Sequence, residues 1–121
     1  MKPVVPSLET DDVHATIRFY QDVLDFEVIS ILPNEIEPGW VLLRNGQAEL
    51  VFSERNTHSS HVQVYFTGSF YFEPTNLNEV WEKVQTKGAQ IAWPLETFDY
   101  GIKEFGMYDN NGYLLRFGCE V

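Results

Sequence analysis

The sequence predicts an α+β fold made of two βαβββ repeats that together form one cup-shaped mixed sheet, and three observations predict it. Each half carries one segment with apolar residues at helical spacing, and each half closes with a strand pair joined through Asn-Gly. Strand-like runs also fall in the same order around both helices. At 121 residues the chain is long enough to bury a core as a single domain, 1–121, with repeats at about 3–53 and 68–119 joined by a long loop.

Residues 3–8, PVVPSL, are short, apolar and interrupted by Pro3 and Pro6, which suits a first or edge strand better than a helix. In TDDVHATIRFYQDVL, Thr10, Asp11 or Asp12 serves as N-cap to a helix whose stripe is Val13, Ile17, Tyr20 and Leu24. FEVISIL reads as a strand ended by Pro33 and Asn34. After the acidic loop NEIEPG, the runs WVLLRN and QAELVF form a hairpin around Asn45-Gly46 with positive backbone φ. The second half repeats this order. A strand around GSFYFEP leads to a helix in NLNEVWEKVQTKG with Leu77, Val80, Trp81 and Val84 as its stripe and Gly88 as C-cap, then to AQIAWPLE, KEFGMYD and YLLRFG, the last two joined by Asn110-Asn111-Gly112. Two such half-sheets can curl into a partly open cup whose concave face is the natural binding place.

The net charge of −10, from 18 acidic and 8 basic residues, argues against nucleic acid and against anionic membranes, and it draws cationic small molecules at long range. No apolar run approaches the roughly 20 residues that span a bilayer, and the first residues lack a signal-peptide stretch, so a cytoplasmic location is expected. Cys119 is the only cysteine, so it has no internal disulfide partner, and it lies far in sequence from any histidine that would activate it as a nucleophile.

The order of elements and three strings, DDVHATIRFYQDVLDFEV, GWVLLRNGQAELVF and YGIKEFGMYDNNGYLLRFG, resemble the vicinal oxygen chelate superfamily of glyoxalases, ring-cleaving dioxygenases and bleomycin-resistance proteins. The resemblance spans nearly the whole chain; the loop SERNTHSSHVQVYFT departs from it. It implies the glyoxalase/bleomycin resistance fold, and in metal-using members a divalent ion held by four side chains on the concave face. Carried over by position, those four fall at Val5, Glu49, Ser69 and Arg116, of which only Glu49 is a ligand for a metal. The expectation is therefore no metal and no cofactor.

What remains resembles the bleomycin-resistance branch, which binds and sequesters a drug as a homodimer. The resemblance implies a small-molecule ligand, cationic or planar, with antibiotic resistance as one role. Trp40 and Tyr100 match family aromatics, Glu35 falls in a half-preserved acidic-aromatic pair, and Pro6 matches a proline near an arm exchanged between subunits. Alternation places Glu49 and Arg116 on one face, opposite Leu50, Phe52, Leu115 and Phe117, where the two are expected to line the cup as an ion pair. The phase of Ser69 puts Tyr71 on that face too. The candidate ligand-binding set is thus Glu35, Trp40, Glu49, Tyr71, Tyr100 and Arg116. Two rivals are a lyase or isomerase with Glu49 as general base beside Arg116 as anion stabiliser, and a non-catalytic assembly module.

Plainer roles compete for several of these residues. Trp81, with Phe19 or Tyr20, lies on a helix stripe and is expected in the core; Trp93 before Pro94 is expected to pack; Trp40 and Tyr100 suit core or site equally. His14 is expected to face solvent, while His58 and His61 in the long loop offer two imidazoles, too few for a strong metal site.

Overall fold

The computed structural model of the chain describes residues 1–55 and 64–121. It divides into two compact units, Met1–Val64 and Tyr65–Val121, and the division falls in the linker between the two repeats. His58 and His61 lie outside the described residues.

The first unit runs β1 (Ser7–Thr10), α1 (Val13–Leu24), β2 (Glu27–Leu32), β3 (Trp40–Asn45) and β4 (Ala48–Glu54), with sheet order β1-β4-β3-β2. β1 begins later than the sequence suggested, because Pro3 and Pro6 offer no N–H to the ladder; pairing with β4 opens where Val51 donates to the Pro6 carbonyl. α1 starts at the Asp12 cap, whose side chain accepts from the Ala15 N–H at 2.9 Å, and ends with Asp25 in the left-handed region at φ 58. Gly46 takes φ +59 in the β3–β4 turn, as a tight hairpin there requires. Tyr20, fully buried, meets Phe26 and Phe52 with ring centroids 5.3 and 5.1 Å away, and Leu43, Leu50 and Val41 complete this core.

The second unit repeats the order as β5 (Ser69–Phe72), α2 (Leu77–Thr86), β6 (Gln90–Thr97), β7 (Ile102–Tyr108) and β8 (Leu114–Glu120), with sheet order β5-β8-β7-β6. Pro94 is accommodated inside β6 because β6 is an edge strand, and the ladder slips its register between Trp93 and Glu96. A column of rings forms the core: Phe72 stacks on Phe117, Phe117 on Phe105, and Trp81 of α2 tilts against Phe105 at 4.9 Å. Trp81 itself is only half-buried, and so is Val80; of α2, only Leu77 and Val84 are fully inside. Each unit is thus a four-stranded mixed sheet with one helix, and the two together are the pair of βαβββ modules of the expected α+β fold.

Candidate functional site

In each sheet the period-2 rule separates a face under the helix from an open one. On β4, Leu50 and Phe52 are buried and Glu49 and Val51 lie opposite; on β8, Leu115 and Phe117 are buried and Leu114 and Arg116 lie opposite. Parallel pairing sets Ser69 beside Leu114 and Tyr71 beside Arg116, so Tyr71 shares the open face with Arg116 while Phe70 and Phe72 point the other way.

Glu49 and Arg116, the two charges expected to pair, each have a partner within their own sheet. Glu49 Oε2 accepts from Arg44 Nε at 2.8 Å and lies 2.7 Å from Arg44 Nη2, across the β3–β4 hairpin where the two residues are register partners. Arg116 donates from Nε to Glu104 Oε2 at 3.1 Å and from Nη2 to Glu104 Oε1 at 2.9 Å. Such a fork-on-fork pair fixes both side chains. Glu104 is 3% exposed, and a carboxylate so buried relies on a partner such as the Arg116 guanidinium to compensate its charge. The bonds from Glu104 in turn push the Arg116 pKa up, against the opposing effect of burial.

The Arg116 guanidinium carbon lies 5.2 Å from the centroid of the Tyr71 ring, within cation–π reach. Burial, followed by the charges of Glu73 and Glu104, raises the Tyr71 pKa above its ordinary 10.0, while Arg116 pulls it back. These residues line a recess of about 350 Å³ bounded by Tyr71, Glu73, Ile102, Glu104, Arg116 and Glu120. Its carboxylates number three against a single guanidinium, and that guanidinium is already engaged. Glu73 and Glu120 form no ion pair among the described residues.

Of the six sequence candidates, only Tyr71 and Arg116 meet in this recess. Tyr100 sits in the β6–β7 turn, stacked on Phe98 with centroids 5.5 Å apart and mostly exposed. Trp40, half-buried, opens β3 in the first unit opposite Leu32 and Ser53, on the face away from the buried Val41 and Leu43. Glu35 is exposed in the loop after β2, which Asn34 organises by accepting from the Ile36 and Glu37 N–H groups. His14 is exposed as expected, but its Nε2 lies 3.0 Å from the Ile36 carbonyl, tying that loop to α1. Sequence reasoning missed Glu104, although the mirror count across the Asn-Gly hairpin gives it: Gly106 faces Arg116 and Glu104 faces Gly118, so Glu104 is the diagonal neighbour of Arg116. Trp93, expected to pack, lays its indole against Gly106, the cross-strand neighbour of Arg116.

The four positions that the resemblance assigns to a metal do not suit one here. Val5 offers hydrocarbon, Ser69 a neutral hydroxyl and Arg116 a cation, and Glu49 is engaged by Arg44. Among the described residues no group of three or more His, Cys, Asp and Glu side chains is placed to hold a metal ion. No helix among them is long and apolar enough to cross a membrane.

Two mixed sheets in βαβββ order, with the open face of the second carrying the recess, define a module of the glyoxalase type. The chain belongs to the Glyoxalase/Bleomycin resistance protein/Dioxygenase superfamily, whose family model matches residues 4–117. Among solved structures it is similar to TioX from Micromonospora sp. ML1, at TM-score 0.85 and 16% identity with 100% of both chains covered. It is also similar to a glyoxalase/bleomycin resistance protein/dioxygenase from Alicyclobacillus acidocaldarius, at TM-score 0.76 and 14% identity over 98% of this chain and 91% of that one. A lactoylglutathione lyase from Agrobacterium tumefaciens aligns at TM-score 0.68 and 17% identity over 97% and 92%. No curated protein matches the sequence.

Proposed function

We propose that this chain is a metal-independent small-molecule binding protein that sequesters a planar organic ligand carrying positive charge, with drug sequestration as one such role. The observation that carries the reading is the state of Arg116, to which the family resemblance assigns the last metal-ligand position: its Nε and Nη2 both donate to the buried Glu104. The charge of that guanidinium is balanced by Glu104, while Glu73 and Glu120 at the same recess form no ion pair among the described residues. The Tyr71 ring supplies a flat surface beside them. The lyase or isomerase reading has less support, because its base, Glu49, accepts both contacts from Arg44.

The test is an NMR titration of the full chain with three probes of one shape: benzamidinium, neutral benzamide and benzoate. Benzamidinium is expected to shift the amides of Tyr71, Ile102 and Glu120 to saturation, benzamide more weakly, and benzoate not at all. Removing both unpaired carboxylates in Glu73→Gln/Glu120→Gln is expected to weaken benzamidinium binding roughly tenfold, since two partly exposed charge contacts are worth about 1–2 kcal/mol together. Saturation by benzoate at lower concentration than benzamidinium would overturn the assignment of charge.

A further inference from the structure

Gly118 and Gly106 lie on the open face of the second sheet, and neither has the positive φ that reserves a position for glycine. What they supply is space. A Cβ on Gly106 would meet the Trp93 indole at 2.7 Å; a Cβ on Gly118 would meet the Tyr71 hydroxyl at 2.6 Å, Glu104 Cβ at 3.0 Å and the Lys103 carbonyl at 3.1 Å. Gly118 is thus the point on which Tyr71 and Glu104 converge, one above β8 and the other from its register partner position on β7. Tyr71 starts beside Arg116 on β5 and reaches along β8, so that its ring covers the Arg116 guanidinium and its hydroxyl comes to rest over Gly118.

We infer that Gly118 is the positioning residue of the recess: its missing Cβ keeps Tyr71 laid down across Arg116 and so sets the shape of ligand that the recess admits. A methyl at this position would stand about 0.9 Å inside an ordinary contact of ~3.5 Å with the hydroxyl. The other two contacts need only a few tenths of an ångström of adjustment. The phenol is the free end of a side chain, whereas the Lys103 carbonyl is strand backbone, so Tyr71 is the group that yields. It yields away from the sheet, into the recess of about 350 Å³ that it otherwise bounds. The consequence for ligand choice rests on the binding function proposed above, but the geometry does not, and the test therefore adds no ligand.

In the full chain, the Tyr71 ring current should displace the Arg116 side-chain protons upfield in the NMR spectrum, given the 5.2 Å separation. Gly118→Ala is expected to remove at least half of that displacement. Tyr71→Phe in the same chain deletes the one oxygen that the methyl strikes, and Gly118→Ala/Tyr71→Phe is expected to regain most of it. An Arg116 displacement unchanged in Gly118→Ala, or lost and not regained in a folded double variant, overturns the inference, because Gly118 would then serve only the packing of β7 on β8. Should Gly118→Ala not fold, Gly118→Ala/Tyr71→Leu decides: a folded chain attributes the damage to the phenol and supports the inference, and an unfolded one attributes it to the strand pair and overturns it.

Discussion

A carboxylate at 3% exposure and the guanidinium that grips it depend on each other unequally. The Arg116 side chain is 35% exposed and would be solvated without its partner, whereas Glu104 would be left as an unpaired buried charge. Arg116→Met is therefore expected to destabilise the chain by about 2 kcal/mol, the lower part of the range for broken buried pairs, because one partner faces water. Arg116→Met/Glu104→Leu should recover most of that loss, as apolar replacement of both members of a buried pair commonly does. Urea denaturation of the three proteins measures it, and a double variant no more stable than Arg116→Met would show that Glu104 was not the strained group. The placing of Arg116 and Tyr71 on one face was legible from alternation along β5 and β8 only once the family resemblance had fixed the phase of Ser69. The partner of Arg116 was harder to read, since it follows from the register of a hairpin and not from the phase of a single strand. Gly118 carried no sequence signal at all: its role depends on where a side chain from a strand more than forty positions earlier comes to rest.

At the scale of elements, local chemistry decided most of the outcome. α1 and α2 start at Asp12 and Asn76, side chains that each accept from the N–H three residues on, at 2.9 and 3.2 Å. Asp12→Ala is expected to cost about 1 kcal/mol of stability in urea denaturation, with Asn76→Ala costing no more, since its bond is the longer of the two. A loss well under half of that at Asp12 would mean that Thr10, whose hydroxyl accepts from the Asp12 N–H, holds the helix start without the cap. Both helices and both Asn-Gly hairpins were legible because their signals lie within a few residues of one another. β1 was not, because where a parallel edge strand begins depends on its partner: Ser7 pairs with Val51, some forty residues away. The half-buried state of Trp81 escaped for a related reason, as a helix stripe fixes which residues face the sheet and not how completely the sheet covers them.

At the scale of the whole molecule, the surface raises the question of assembly. Each four-stranded sheet ends in edge strands, β1 and β2 in one and β5 and β6 in the other, and unpaired edges invite partners. Large apolar side chains are also open to solvent in the first unit: Val4 at 91%, Ile36 at 85% and Leu32 at 53% exposure. A second copy of the chain would cover such surface by the closed twofold symmetry most common among soluble assemblies, and Pro6 stands at the position where the superfamily resemblance places an exchanged arm. The expected state is a homodimer, twice the 14.0 kDa of one chain, measured by light scattering at micromolar concentration. Each chain carries a net charge of −10, so association works against repulsion that salt screens within about 10 Å at 0.1 M. The dimer should therefore tighten as salt is raised from 20 to roughly 200 mM, the opposite of an assembly held by ion pairs between chains. Val4→Asp, at the most exposed of these side chains other than Met1, should shift the equilibrium toward monomer without lowering the melting temperature of the fold. A mass near 14.0 kDa across that salt range would mean that the apolar surface serves something other than a second copy.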